Sequence, residues 1–125
     1  MDRPFLRPNG VVLDSPDARQ LAAFWERLLG WSRRADEPDW VTLVPPDGGI
    51  GLSFQTERNH VRPVWPAGDG DPQMQIHLDI QVNDLAEGVA WARSHGAALA
   101  DFQPQHDVRV MLDPAGHPFC LWIET

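Results

Sequence analysis

The sequence predicts an α+β fold of two βαβββ modules, because the same succession of signals occurs twice along the chain. Asp17 and Phe24 have counterparts 67 residues further on in Asp84 and Trp91. An apolar run precedes each of the two aspartates, and a turn of proline, aspartate and glycine follows each about thirty residues later. A repeat this short predicts two similar modules that pack into one domain, with a shared concave surface where function is expected.

Two segments, Asp17–Leu29 and Asp84–His95, predict helices because their apolar residues recur at helical spacing. Aspartate, or Ser15 in the first copy, is expected to cap the N-terminus, and a glycine directly follows each segment. Trp25 and Trp91 lie at inward-facing positions of this pattern. We therefore expect both indole rings to fill the core.

Five runs of alternating apolar and polar residues predict strands. They are Val41 to Val44, Ile50 to Phe54, Ile76 to Val82, Val108 to Leu112 and Phe119 to Ile123. Successive strand residues face opposite sides of a sheet, so each run has one face that covers a helix, and Ile50 and Ile76 are expected there. The opposite, polar faces are expected to meet, and they carry Gly51, Ser53 and Gln55 in the first module and Gln75, His77, Asp79, Gln81, Cys120 and Trp122 in the second.

The whole chain, residues 1–125, is expected to form a single domain. Module one covers about residues 9–56 and module two about residues 74–125, with a connecting loop at 57–73 that is rich in proline, glycine and charge. Connections of this length in compact domains are often lids or binding loops. Trp65, in the middle of the loop, either covers a ligand or anchors the loop at the edge of the domain.

The formal net charge of −8 and the absence of lysine exclude several classes of function. Binding to a nucleic-acid backbone relies on clustered Lys and Arg, so no nucleic-acid partner is expected. Schiff-base chemistry and the P-loop both need a lysine that the chain lacks. An acidic surface favours cationic ligands, although solubility alone also accounts for it.

Cys120 is the only cysteine, which excludes an intrachain disulfide and predicts a reduced, cytoplasmic setting. The first ten residues carry proline and charge where a signal peptide has an apolar stretch. No window approaches the roughly 18 apolar residues of a transmembrane helix. We therefore expect no association with a membrane.

Three groups of residues together resemble the glyoxalase, bleomycin-resistance and extradiol-dioxygenase superfamily, also called the vicinal oxygen chelate proteins, and in particular a glyoxalase-like subgroup. The groups are Pro16-Asp17 with Phe24-Trp25 and Leu29-Gly30-Trp31, His77-Leu78-Asp79 with Asn83-Asp84 and Gly96-Ala97, and Asp113-Pro114-x-Gly116-His117-Pro118-Phe119. The resemblance implies two βαβββ modules whose strands form a curved mixed sheet around a central cup. It also implies a homodimer, since members of the superfamily commonly pair.

Metal-dependent members of this superfamily hold a divalent ion in the cup with histidine and glutamate side chains. The resemblance places the four ligand positions at Gly10, Gly51, His77 and Cys120. Only His77 matches, and a divalent-ion site needs three or four converging ligands. No metal cofactor is therefore expected, and the alternative is an ion bound by His77 and Cys120. Three other histidines lie off the polar faces of the predicted strands: His60, His106 and His117.

Without a metal, the cup is expected to be a pocket for a small molecule, with apolar walls and a few fixed polar groups. Arg109 either meets Asp79 or a ligand carboxylate, or lies solvated at a strand edge. Trp40 and Trp122 either line the pocket or fill the core. The residues expected to bind the ligand are Trp40, Ser53, Gln55, Trp65, His77, Asp79, Gln81, Arg109, Cys120 and Trp122.

Two functions from different classes follow. The first is a metal-free protein that sequesters a cationic or aromatic small molecule, similar to the antibiotic-resistance members of the superfamily. The second is a glyoxalase-like lyase or isomerase, or a dioxygenase-type enzyme, with or without a divalent metal. In that enzyme His77 is the general base beside Asp79 or Glu124. A third interpretation is an interaction module in a homodimer, and no residue of the sequence distinguishes this function from the other two.

Overall fold

The structure is a computed structural model that describes residues 2–125. The chain divides into two compact units, one ending at Arg58 and the other spanning Asn59–Thr125. Each unit contains a four-stranded mixed sheet and a helix. This arrangement confirms the predicted α+β fold of two repeated modules. No helix in the described part of the chain has the length and apolar character needed to cross a membrane.

The first unit contains β1 (Gly10–Ser15), α1 (Ala18–Leu29), β2 (Ser32–Glu37), β3 (Trp40–Val44) and β4 (Gly51–Thr56). Its sheet has the order β1-β4-β3-β2. β1 runs parallel to β4, whereas β3 is antiparallel to both of its neighbours. The helix therefore lies in the crossover between two strands that belong to the same sheet.

The second unit repeats this plan with β5 (Leu78–Gln81), α2 (Leu85–Ser94), β6 (Ala98–Leu99), β7 (Val108–Leu112) and β8 (Pro118–Trp122). Its sheet order is β5-β8-β7-β6, with β5 parallel to β8. The first, second, third and fourth strands thus have the same neighbours in both units. Equal topology in the two halves is what an internal duplication predicts.

The two helices begin in the same way, at aspartates separated by 67 residues. The Asp17 carboxylate accepts a hydrogen bond of 3.1 Å from the backbone N–H of Gln20, and the Asp84 carboxylate accepts one of 2.9 Å from Glu87. Each bond satisfies an N–H group that the first helical turn leaves without a backbone partner. Both predicted helices are confirmed, with starts and ends within one residue of those expected.

Large side chains attach α1 to its sheet. Leu21, Phe24 and Trp25 are fully buried, and the rings of Phe24 and Trp25 meet edge to face with centroids 5.4 Å apart. They pack on a sheet face whose buried residues include Val41, Leu43, Leu52 and Phe54. The expectation that Trp25 fills the core is confirmed.

The prediction for Trp91 is wrong, because α2 packs through small residues instead. A Cβ atom on Gly88 would lie 3.2 Å from a methyl carbon of Val82 and 3.3 Å from one of Leu121, so this face of α2 already contacts the sheet. Ala92, one turn later, is fully buried. Trp91 therefore points away from the sheet, with 53% of its surface exposed.

Several strand predictions differ in detail from the structure. The run from Ile76 to Val82 forms only the four residues of β5, and Ile50 lies just before β4, so Ile50 and Ile76 are exposed instead of covering a helix. The alternation pattern does not identify β2 or β6. β2 is too polar to show the pattern, and its Arg33 pairs with Glu26 of α1 and with Asp36. β6 is too short, with only two residues.

Candidate functional site

The face of the first sheet that α1 leaves uncovered carries an open pocket of about 730 Å³. Val12, Ser53 and Thr42 lie side by side on β1, β4 and β3, because Ser53 is in register with both of the others. All three line the pocket, as does Trp40 at the start of β3. A cavity of this volume is the size that holds a drug-sized molecule.

Polar and aromatic groups are fixed at this pocket. Thr42 Oγ1 and Ser53 Oγ share a hydrogen bond of 2.9 Å, and Ser53 is buried beneath the opening. Trp40 is 37% exposed, so part of its ring remains accessible to a ligand. Among the residues expected from the sequence, Trp40 and Ser53 line this pocket. Gln55 does not, and its side-chain amide donates instead to Asp14 Oδ1 at 2.7 Å.

The pocket has an electrostatic character opposite to that of the chain as a whole. Arg7 and Arg34 line it, and no Asp or Glu belongs to its lining within residues 2–125. The cationic ligand expected from the net charge therefore finds no carboxylate in this lining. Thr42, Arg7 and Arg34 were not predicted from the sequence. Strand alternation could have identified Thr42, because it lies two residues after Trp40 and so shares its face of β3.

A second cluster forms in the other unit, where His77, Asp79 and Cys120 come together. Asp79 of β5 is in register with Cys120 of β8, and His77 directly precedes β5. His77 Nε2 lies 3.1 Å from Asp79 Oδ1, and one ligand atom of each of the three residues lies within 4.8 Å of the others. The parity predicted from the sequence thus brings these three side chains together.

Trp65 lies against this cluster. Its ring stacks on that of His77, with centroids 5.2 Å apart and an interplanar angle of 26°, and meets Phe102 edge-on at 5.5 Å. Trp65 thus covers His77, a predicted site residue, which is compatible with a role in covering a ligand. Its contact with Phe102 is compatible with the other interpretation, an anchor for the loop. Gln81 and Trp122 are in register on the same face of β5 and β8 as Asp79 and Cys120.

Arg109 is not part of the cluster. It is in register with Leu121, so it lies on the opposite face of β8 from Cys120. Its Nη1 donates to the backbone carbonyl oxygens of Gln105, His106 and Val108. Of the alternatives open for Arg109, a contact with Asp79 is therefore absent from the described residues, and the guanidinium bonds to the loop before β7 instead.

His60, His106 and His117, the three histidines considered as additional metal ligands, lie elsewhere. The carboxylate of Asp113 is buried and accepts from the backbone N–H of Ala115 and from both the backbone and Nδ1 of His117. His60 Nε2 donates to the carbonyl oxygen of Ala115 at 2.9 Å, which ties the connecting segment to this turn. Within the described residues, neither these two histidines nor His106 joins the group around His77.

The environment of Cys120 favours the protonated form of its sulfur. Burial raises the pKa of the thiol, and the nearby negative charge of Asp79 raises it further. Thiolate, not thiol, is the form that binds metals and attacks electrophiles. A metal at this cluster therefore has to displace a proton from Cys120 as it binds.

The metal site implied by the superfamily resemblance does not fit the first unit. Two of its four positions are Gly10 and Gly51, which are in register on β1 and β4. A Cβ atom on Gly51 would lie 2.6 Å from the carbonyl oxygen of Leu43, a contact that real Cβ atoms do not make. The position thus has neither a ligand side chain nor space for one.

Comparisons with known proteins connect the chain to one group of folds. A family model described as a glyoxalase-like domain matches residues 10–122. The structure is similar to a glyoxalase/bleomycin resistance protein/dioxygenase family enzyme from Burkholderia phytofirmans PsJN, with a TM-score of 0.69 and 16% sequence identity over 94% of this chain and 98% of that one. A search of the curated proteins gave no match.

Two further structures share this fold. A glyoxalase-related enzyme from Fulvimarina pelagi has a TM-score of 0.67 and 18% identity, over 96% of this chain and 89% of that one. An antibiotic binding protein from Streptomyces sp. CB03234 has a TM-score of 0.65 and 15% identity, over 99% of this chain and 100% of that one. At these identities the likeness shows the fold alone.

We expect Gly51→Ala to lower the free energy of unfolding by about 1–3 kcal/mol, because the new Cβ atom forces β3 and β4 apart at Leu43. Urea denaturation measures the change. Gly10→Ala is the matched control on the neighbouring strand, since its Cβ meets nothing closer than 3.6 Å; its effect is expected to stay within about 0.5 kcal/mol. Equal effects of the two substitutions contradict the steric account.

Alkylation of Cys120 by iodoacetamide is expected to rise with pH around a midpoint above the ordinary thiol value of 9.0, since burial and Asp79 raise the pKa of this thiol. Asp79→Asn removes the smaller of the two causes and moves the midpoint to lower pH, though still above that value. Mass spectrometry of the alkylated protein gives the profile. Asp69→Asn, in an exposed turn, is the control and leaves it unchanged; a wild-type profile for Asp79→Asn contradicts the assignment.

Proposed function

Because the chain belongs to the glyoxalase-like domain family, we propose that it is a small-molecule-binding protein that holds an aromatic compound in the pocket of its first sheet without a metal ion. The observation that carries the proposal is the open cavity of about 730 Å³ beside Trp40. A cavity with an accessible aromatic ring and a few fixed polar groups is typical of a small-molecule site.

The lining of the pocket supports an aromatic ligand. Trp40 offers a flat apolar surface on which another ring can stack. Thr42 and Ser53 lie deeper and are bonded to each other, which leaves lone pairs on both oxygens for a polar group of the ligand. Gly10 and Gly51, which have no side chain, and the small Ala35 also line the pocket, so they leave room in it for a ligand.

Sequestration fits this chain better than catalysis does. Binding requires only affinity, so the loss of ligand side chains at Gly10 and Gly51 costs such a function nothing. A structural neighbour with the same fold is an antibiotic binding protein, which supports the proposal without identifying the compound. Trp40 and the hydroxyl pair supply affinity and orientation, and neither is a strong acid or base at neutral pH.

An enzyme is the second candidate, and the cluster in the second unit favours it. The His77 imidazole lies 3.1 Å from the Asp79 carboxylate, an arrangement that orients a general base. His77, Asp79 and Cys120 also provide three atoms close enough to hold a soft divalent cation such as Zn²⁺. Against this alternative stand the raised pKa of the Cys120 thiol and the ring of Trp65 stacked on His77.

The proposal includes a cytoplasmic location and a homodimer, both expected from the sequence. The buried free thiol of Cys120 supports a reducing compartment. The dimer is supported by the superfamily resemblance, and sedimentation of the purified protein measures it directly.

We expect the neutral dye N-phenyl-1-naphthylamine to bind the pocket, and Trp40→Ala to weaken its binding by about tenfold or more, since a tryptophan that contacts a ligand contributes strongly to affinity. Dye fluorescence at constant protein concentration measures the dissociation constant. Trp91→Ala is the matched control because Trp91 is exposed on α2 in the other unit. Unchanged dye affinity in the Trp40 variant rules out this pocket as the binding site.

Cobalt(II) tests the second candidate without reference to turnover. If the protein is metal-free, adding Co²⁺ produces no cobalt–thiolate charge-transfer absorption; the raised pKa of Cys120 opposes such a site because binding has to displace the thiol proton. A stoichiometric absorption that disappears in Cys120→Ser and weakens in His77→Ala would establish a metal site and overturn this part of the proposal. Asp69→Asn serves as a charge control, since an exposed carboxylate outside the cluster leaves the spectrum unchanged.

A further inference from the structure

We propose that the pocket of the first sheet selects an aromatic compound that carries an anionic group, such as a carboxylate or sulfonate, and that Arg34 and Arg7 bind this group. The inference rests on the proposed function, because it names the chemical class of the ligand for the same pocket. It reverses the expectation drawn from the net charge of −8.

A β-bulge brings Arg34 to the pocket. The register between β2 and β3 shifts between Arg33 and Ala35, so Arg33 is opposite Leu43 and Ala35 is opposite Thr42. Arg34 is the extra residue, and it lines the pocket together with Ala35. Arg33 has the opposite orientation, and its guanidinium bonds to Glu26 of α1. Bulges commonly redirect a side chain beside a functional site.

Arg7 reaches the same pocket from the segment before β1. The backbone N–H of Gly51 donates to the carbonyl oxygen of Asn9 at 3.2 Å, which fixes this segment beside β4. Both Arg7 and Asn9 line the pocket. Two arginine residues therefore line one cavity, although they come from parts of the chain that are more than twenty residues apart.

Neither of these guanidinium groups is neutralised by the protein. Arg7 and Arg34 make no ion pair or side-chain hydrogen bond among residues 2–125. The contrast with the other arginines of β2 and α1 is clear, since Arg19 and Arg33 both bond to Asp36. The N–H donors of Arg7 and Arg34 are thus available to a ligand. An arginine binds a carboxylate or sulfonate through paired N–H groups.

Three carboxylates of the first unit, none of which lines the pocket, have hydrogen-bond partners of their own. Asp14 Oδ1 accepts from the Gln55 amide, Asp47 Oδ1 accepts from the backbone of Gly49, and Asp36 is bound by two arginines. Hydrogen bonding to Arg19 lowers the pKa of Asp36, so that carboxylate stays ionised and paired. The local charge that a ligand meets in the lining is therefore positive, although the chain is acidic.

Two fluorescent dyes with the same ring system test the inference. The anion 8-anilinonaphthalene-1-sulfonate differs from N-phenyl-1-naphthylamine by its sulfonate. We expect the wild-type protein to bind the anion about tenfold more tightly than the neutral dye, and Arg34→Gln to remove most of this preference, measured as the ratio of the two dissociation constants in the same variant. Arg34→Lys is expected to restore only part of it, since lysine cannot make the paired contact.

Matched controls separate the local effect from the total charge. Arg93→Gln removes the same charge from the exposed face of α2 and is expected to change neither affinity. The double variant Arg7→Gln, Arg34→Gln is expected to bind the two dyes equally. Thermal denaturation of each variant verifies that the fold is intact, because unfolded protein also binds the sulfonate dye.

The outcomes distinguish this inference from the proposed function. Neutral-dye binding that depends on Trp40, together with equal or weaker affinity for the anion, overturns the inference and leaves the proposed function standing. A preference for the anion that survives Arg34→Gln also overturns it. Failure of both dyes to bind, or binding that does not depend on Trp40, overturns the proposed function and the inference together.

Discussion

The structure depends on the parallel pairing of the first and fourth strands in each module, β1 with β4 and β5 with β8. Two parallel neighbours need a crossover, and the helix between them covers one face of the sheet. The other face is left uncovered by that helix. The candidate residues lie on these uncovered faces, with the pocket on the first sheet and the cluster of Asp79 and Cys120 on the second.

Duplication preserved this plan while the contacts that stabilise it diverged. The helix caps Asp17 and Asp84 are equivalent, but Leu21 and Trp25 of α1 correspond to Gly88 and Ala92 of α2. Bulky side chains hold the first helix on its sheet, whereas the second makes close contact through small residues. Equal backbones therefore present different surfaces, and the uncovered face of the first sheet carries the pocket.

Sequence patterns predicted the fold and superfamily, and the family match confirms the superfamily. The fold could be predicted because helix caps, helical periodicity and strand alternation depend on residues close together in the chain. The same alternation placed His77, Asp79 and Cys120 on one face. It failed where register or packing decides: the bulge that carries Arg34, the reversed side of Arg109 and the outward Trp91 all depend on partners distant in the chain. The polar strand β2 has no apolar alternation to detect.

The contact between Gly51 and Leu43 bears on how this lineage can change. A chain that loses a metal-binding side chain but keeps its cavity can regain the ligand by one substitution. Here the backbone of β3 occupies the place that such a side chain needs. A ligand side chain at position 51 therefore requires the neighbouring strand to move as well, so one substitution is not enough to create a metal-binding position here.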